Sequence, residues 1–180
     1  GFGATNTLLA NANPDAVAIG GFNGDLTNDL VVANYTSNDA TVFLALPHVL
    51  AQTFGTGCPG TAGVPAISAV GLPTFGNPAF GVRVSSARNF APALLALSLL
   101  QMTVPLGGGC TLYLSPLGLV TFPVFVNNVG TATFFLAVPP AMPALQGLNV
   151  YFQYAVFDPL GAYLNTLAFS NALRLKLGCN

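Results

Sequence analysis

Acid–base or nucleophilic chemistry needs an ionisable partner beside the reacting group, and this sequence holds few such groups. His48 is the single histidine, and it follows Pro47 with no acid close by in sequence. Glutamate is absent; the acids are Asp15, Asp25, Asp29, Asp39 and Asp158. A glycosidase needs paired carboxylates, yet Asp158 stands alone after residue 46, and Asp158-Pro159-Leu160-Gly161 reads as a turn. No catalytic residue is assigned, and the chain is expected not to be an enzyme. Gly107-Gly108-Gly109 lacks the Lys-Ser/Thr that completes a phosphate loop. Cys58, Cys110 and Cys179 form no CxxC pair and have no histidine cluster, so zinc is not expected. Two cysteines flanking a glycine-rich β stretch fit a disulfide in an oxidising compartment. The odd third points to an intermolecular bond, a free thiol or an anchor. Tyr113, Tyr151, Tyr154 and Tyr163 offer rings to a sugar, although alternation on strands favours core packing for most of them. Asn34-Tyr35-Thr36 is a glycosylation sequon, and sugar on Asn34, or O-linked on Ser/Thr, would help keep a charge-poor surface in solution.

That poverty of charge sets the next constraint. Hydrophobic residues make up 53 % of the 180 positions and charged ones 5 %, against about 25 % charged in ordinary soluble domains. Four scattered cations (Arg83, Arg88, Arg174 and Lys176) cannot track a phosphate backbone, which excludes nucleic acid. The longest apolar stretch, from Phe90 to Leu106, is broken by Pro92 and Pro105 and runs into three glycines. It is too interrupted for the roughly 20 residues of a spanning helix, and the chain is too rich in turns for a membrane barrel. The surface is therefore expected to be polar but uncharged, sugar-coated, or covered by further copies of the chain. Gly1 opens the sequence without an initiator Met, as expected either of an exported protein whose leader was removed or of a piece of a longer chain.

Charge also divides the sequence. Residues 1–46 hold four Asp and no cation, a net −4; residues 47–180 hold four cations and Asp158, a net +3. In the first part Ala16–Ile19, Asp29–Ala33 and Thr41–Leu44 are short, apolar and turn-bounded, as strands are, with Asn23-Gly24-Asp25 as a turn. In the second, strands are expected over Ala66–Val70, Phe80–Ser85, Leu94–Met102, Thr111–Ser115, Phe122–Val126, Thr131–Val138, Leu148–Phe157 and Ala172–Leu177. Turn signals at roughly 8–12-residue spacing predict an all-β fold, an antiparallel β-sandwich of Ig-like or jelly-roll-like type. The expected organisation is a short β segment over 1–46, a linker over 47–57 and a β-sandwich module over 58–180.

The stretch Ala18-Ile19-Gly20-Gly21-Phe22-Asn23-Gly24-Asp25-Leu26-Thr27-Asn28-Asp29-Leu30-Val31-Val32-Ala33-Asn34 resembles one FG-GAP (VCBS-type) repeat, the blade unit of β-propellers. Gly1-Phe2-Gly3 and Thr41-Val42-Phe43-Leu44 match its edges. The family's Asp-rich loop binds calcium through alternating oxygens, a coordination that Ca²⁺ favours. The resemblance thus implies Asn23, Asp25 and Asp29 as Ca²⁺ ligands. Gly21 and Leu26 depart from the pattern, and an eroded loop held by Asx-turns is the alternative. One blade leaves its apolar surface and both edges uncovered.

Residues 54–178 resemble a C-terminal module of large secreted proteins of planctomycetes and related bacteria, one without an assigned activity. The matching residues are Phe54-Gly55-Thr56-Gly57-Cys58-Pro59-Gly60, Leu72-Pro73, Phe75–Phe80, Gly109-Cys110-Thr111-Leu112, Pro143–Gly147, Phe169–Leu173 and Leu177-Gly178. This resemblance implies an extracellular location and a disulfide between Cys58 and Cys110. The expected function is a secreted, non-enzymatic structural subunit that assembles head-to-tail into a filament or surface layer. The alternatives are a carbohydrate- or calcium-binding adhesion module and a C-terminal sorting or anchoring module. A homo-oligomer or polymer is the expected partner, with no cofactor apart from the Ca²⁺ of the Asp loop.

Overall fold

The computed structural model describes residues 9–22, 28–45, 50–140 and 143–178. The chain is almost entirely antiparallel β, as expected, with a single helical turn at Pro143–Leu145 among the described residues. It divides into two compact units, Gly1–Pro47 and His48–Asn180.

In the smaller unit β1 (Pro14–Gly20), β2 (Asp29–Asn34) and β3 (Asp39–Phe43) form a three-stranded meander. Directly paired residues share a face of a sheet. One face therefore carries Val17, Ile19, Leu30, Val32, Thr41 and Phe43, and the other Ala18, Val31 and Val42. Both faces are apolar.

In the larger unit, β10 (Val120–Phe125), β7 (Pro92–Ser98), β12 (Asn149–Phe157), β13 (Leu167–Lys176) and β4 (Leu50–Phe54) form one sheet in that order. A second sheet runs β11 (Ala132–Phe135), β6 (Gly81–Ser85) and β5 (Ala66–Val70). Alternation turns Ala93, Leu95, Phe152, Tyr154, Val156, Leu173 and Leu175 of the first sheet toward Ile67, Val82, Val84 and Ala132 of the second, in one shared core. Burying each large apolar side chain contributes about 1.5–3 kcal/mol, and this shared core is the main source of the unit's stability. Tyr154 is fully buried, yet its hydroxyl donates to the Val82 carbonyl across the core at 2.8 Å.

Two expectations change here. Residues 50–54, placed in the 47–57 linker, form edge strand β4 on β13, with Leu50 opposite Lys176 and Phe54 opposite Ala172. The continuous strand expected over Leu94–Met102 is two strands, β7 and then β8 (Gln101–Gly107). The chain leaves the sheet at Ser98, whose buried hydroxyl accepts the Leu100 amide at 3.2 Å, and β8 pairs with β9 (Cys110–Leu114) instead.

The β8–β9 hairpin is held on the side of the large sheet away from the shared core, and Gln153 holds it. The register between β12 and β13 shifts between Gln153 and Ala155, where Ser170 and Asn171 of β13 face the single residue Tyr154. The buried Gln153 amide accepts Tyr113 N–H at 2.9 Å and donates to the carbonyls of Thr111 (2.9 Å) and Ser170 (2.8 Å). The Cys58–Cys110 disulfide, Cα–Cα 5.0 Å, fastens the hairpin's second strand to the segment after β4. Both cysteines pack with Phe169, Leu106, Tyr163 and Leu167 in a second apolar cluster.

Candidate functional site

The Asp loop was the sequence's strongest candidate for ligand chemistry. Asn23 and Asp25 lie outside the described residues, as do His48 and Cys179. Asp29 is fully buried at the start of β2. Its Oδ2 accepts Phe22 N–H and its Oδ1 accepts Ala45 N–H, both at 2.8 Å. The carboxylate thus fastens the second residue after β1 to the second residue after β3. Among the described residues no three His, Cys, Asp or Glu side chains come together as a metal-binding group.

Asn34 ends β2 and is only 2 % exposed. Its Nδ2, the atom that an N-linked sugar would occupy, lies inside the fold and donates to Asp39 Oδ1 and Thr41 Oγ1, both at 2.8 Å. The sequon therefore serves the β2–β3 turn. Asp39 also accepts from Asn11 (2.7 Å) and Ser37 (2.9 Å). The Asn34 hydrogen bond, followed by those of Asn11 and Ser37, holds its carboxyl below the usual range.

Asp158 follows the end of β12 in the turn expected for it, with Gly161 N–H on its carbonyl at 2.8 Å. Its carboxylate is buried and fastens a distant loop: Oδ2 accepts both Thr61 N–H and Thr61 Oγ1 at 2.7 Å, and Oδ1 accepts Leu160 N–H at 3.1 Å. Burial pushes this carboxyl up, but the two Thr61 bonds, the Leu160 amide and the charge of Arg88 together bring it below its ordinary value. Gly107, Gly108 and Gly109 all have positive φ and make the turn between β8 and β9.

Tyr154 belongs to the core. Tyr113 and Tyr151 are half-buried and pack edge-on against Phe54 at 5.7 and 6.2 Å between ring centroids. The Tyr113 hydroxyl accepts Thr56 N–H at 3.0 Å. The Thr56 side chain and then its amide lower this phenol's pKa. These rings are committed to one another and to the chain.

What remains is apolar surface, on the smaller unit and at both ends of the large sheet; at the end where β7 stops and β10 starts, Leu99, Leu100, Leu117 and Val120 are exposed. In the smaller unit Ile19 is 70 % exposed on one face of the sheet and Val42 48 % on the other, with Val17 exposed beside Ile19. In the larger unit Phe90, Phe125, Val129, Phe157, Leu160 and Leu164 are exposed around one end of the large sheet, where β7 and β13 begin and β10 and β12 end. Sequence reasoning singled out none of these residues, because an apolar residue in a β pattern reads as core. The signals were indirect: the shortage of charge to keep such surface in water and, for the smaller unit, the uncovered faces of a single blade. No helix among the described residues is long and apolar enough to cross a membrane. Comparison with protein-family models, with curated proteins and with solved structures found no match.

Proposed function

We propose that the chain is an extracellular, non-enzymatic structural subunit whose copies assemble head-to-tail, residues 1–47 of one packing on residues 48–180 of the next. The observation that carries this reading is the smaller unit's sheet, apolar on both faces and exposed on both. An antiparallel sheet that meets water normally alternates apolar and polar sides, so a sheet apolar on both sides is suited to being covered twice. Opposite net charges of the two parts favour their meeting between copies. A heterologous contact that does not close into a ring propagates as a filament. The disulfide suits an oxidising exterior.

Sedimentation velocity tests the reading. The purified chain sediments as polymers at micromolar concentration, and Val17→Lys with Ile19→Lys, both at exposed positions, returns it to the monomer. Polymers that persist unchanged in this double variant count against assembly through the smaller unit.

A further inference from the structure

The larger unit carries an apolar rim that its own fold does not use. β7 starts at Pro92, β10 ends at Phe125, β12 ends at Phe157 and β13 starts at Leu167, so these termini share one end of the sheet. Between them lies a hollow of about 410 Å³ whose lining includes Arg88, Pro92, Phe157, Asp158, Asn165 and Thr166. Phe90 and Leu164 flank it in sequence. Phe90 has φ 56° and is 74 % exposed; Leu164 has φ 53° and is 73 % exposed. Bulky apolar residues rarely adopt the left-handed region, which favours Gly and Asn. Here two of them do so while leaving their side chains in solvent. The backbone around each is fixed: Phe90 N–H donates to Asn127 O at 3.3 Å, and Thr166 and Leu167 N–H both donate to Tyr163 O at 3.0 and 3.1 Å. Neither side chain repays the strain within its own unit, whereas rigid apolar residues around a hollow are what an interface uses as anchors.

Resting on the assembly reading above, we propose that this rim receives residues 1–47 of the neighbouring copy. One observation selects that occupant, the charge on either side. Arg88 is exposed at the rim, while the Asp158 carboxylate beside it is buried and bonded to Thr61. The rim therefore presents a cation to a segment with four Asp and no Lys or Arg, and Val17 and Ile19 supply apolar side chains for the hollow.

Phe90→Asn with Leu164→Asn removes both anchors and places a residue tolerant of left-handed φ at each site. Its melting temperature should equal or exceed that of the parent, while the concentration for half-assembly rises by at least about tenfold, the loss expected of central anchors. Phe90→Gly with Leu164→Gly must give the same assembly defect. In a second arm Phe90 is replaced by the photo-reactive p-benzoylphenylalanine, and copies with different isotope labels are mixed, irradiated and mapped by mass spectrometry. The expected adducts join position 90 of one copy to residues 14–45 of another. Wild-type assembly by the Asn variant, or adducts confined to residues 48–180, overturns this surface while leaving head-to-tail assembly standing. A parent chain that stays monomeric throughout overturns the assembly reading, and this inference with it.

Discussion

Replacing Cys58 and Cys110 together by Ala opens the ring that joins the segment after β4 to the start of β9. The two positions are separated by 52 residues, and closing a loop of that size corresponds to about 4 kcal/mol of lost chain entropy in the unfolded state. Cys58 Sγ also accepts the buried Phe169 N–H at 3.3 Å, and losing that acceptor adds on the order of 1 kcal/mol. With a urea dependence of about 2 kcal/mol per molar, the midpoint falls by about 2.5 M. Tyrosine emission follows the transition, since the chain has no Trp and four of its five tyrosines lie after residue 48. Cys179 is the only thiol in this variant, so disulfide exchange cannot confuse the result. Reducing the parent chain, which keeps Cys58 Sγ, should reproduce the larger, entropic part of the shift. A midpoint change below about 0.5 M refutes the argument that this ring restrains the unfolded chain.

Burial holds the Tyr154 phenol well above its ordinary value of 10.0; the raised value stabilises the fold below the unfolded pKa and is lost as pH rises, so Tyr154→Phe should flatten the alkaline fall in stability, and an unchanged alkaline profile contradicts this. Asp158→Asn should cost on the order of 2 kcal/mol at neutral pH. Because the folded carboxyl is depressed, its contribution is complete above the ordinary value of 3.8 and disappears as pH falls through the folded value. The gap between parent and variant should therefore close in strong acid, and parallel acid curves refute the assignment. Gly108→Ala places a Cβ against the Ala162 carbonyl at φ +61°, whereas one on Gly107 meets open space. The first should lower stability in urea unfolding clearly more than the second, by about 2 kcal/mol.

The strands with strong alternation or β-branched runs were legible in the sequence: β5, β6, β9 and β12 lie at or within a residue of their expected positions because each turns one apolar side to a core, whereas β13 starts five residues before the expected Ala172. Strand β4 was not, because Leu50-Ala51-Gln52-Thr53-Phe54 has one covered side chain at each end and exposed residues between, a pattern shared with linkers. The break between β7 and β8 was hidden because Leu99 and Leu100 make it without Gly or Pro, through the Ser98 hydroxyl. A glutamine within an apolar strand gives no sign of burial, and it is the hairpin laid over Gln153 that turns that side inward. Asn34 showed a sequon whose nitrogen the fold spends on Asp39 and Thr41. Phe90 and Leu164 gave no sign, since a positive φ at a bulky residue is imposed by the loop around it and not by its own preference.

The central claim, that copies of this chain cover one another's apolar surface in a directional series, is tested most directly by the size of the purified protein over a range of concentrations. Mass photometry at nanomolar and negative-stain images at micromolar concentration should show a shift from single chains to unbranched filaments with one axial repeat. Single particles of one chain's mass at every concentration, with no filaments, would contradict it.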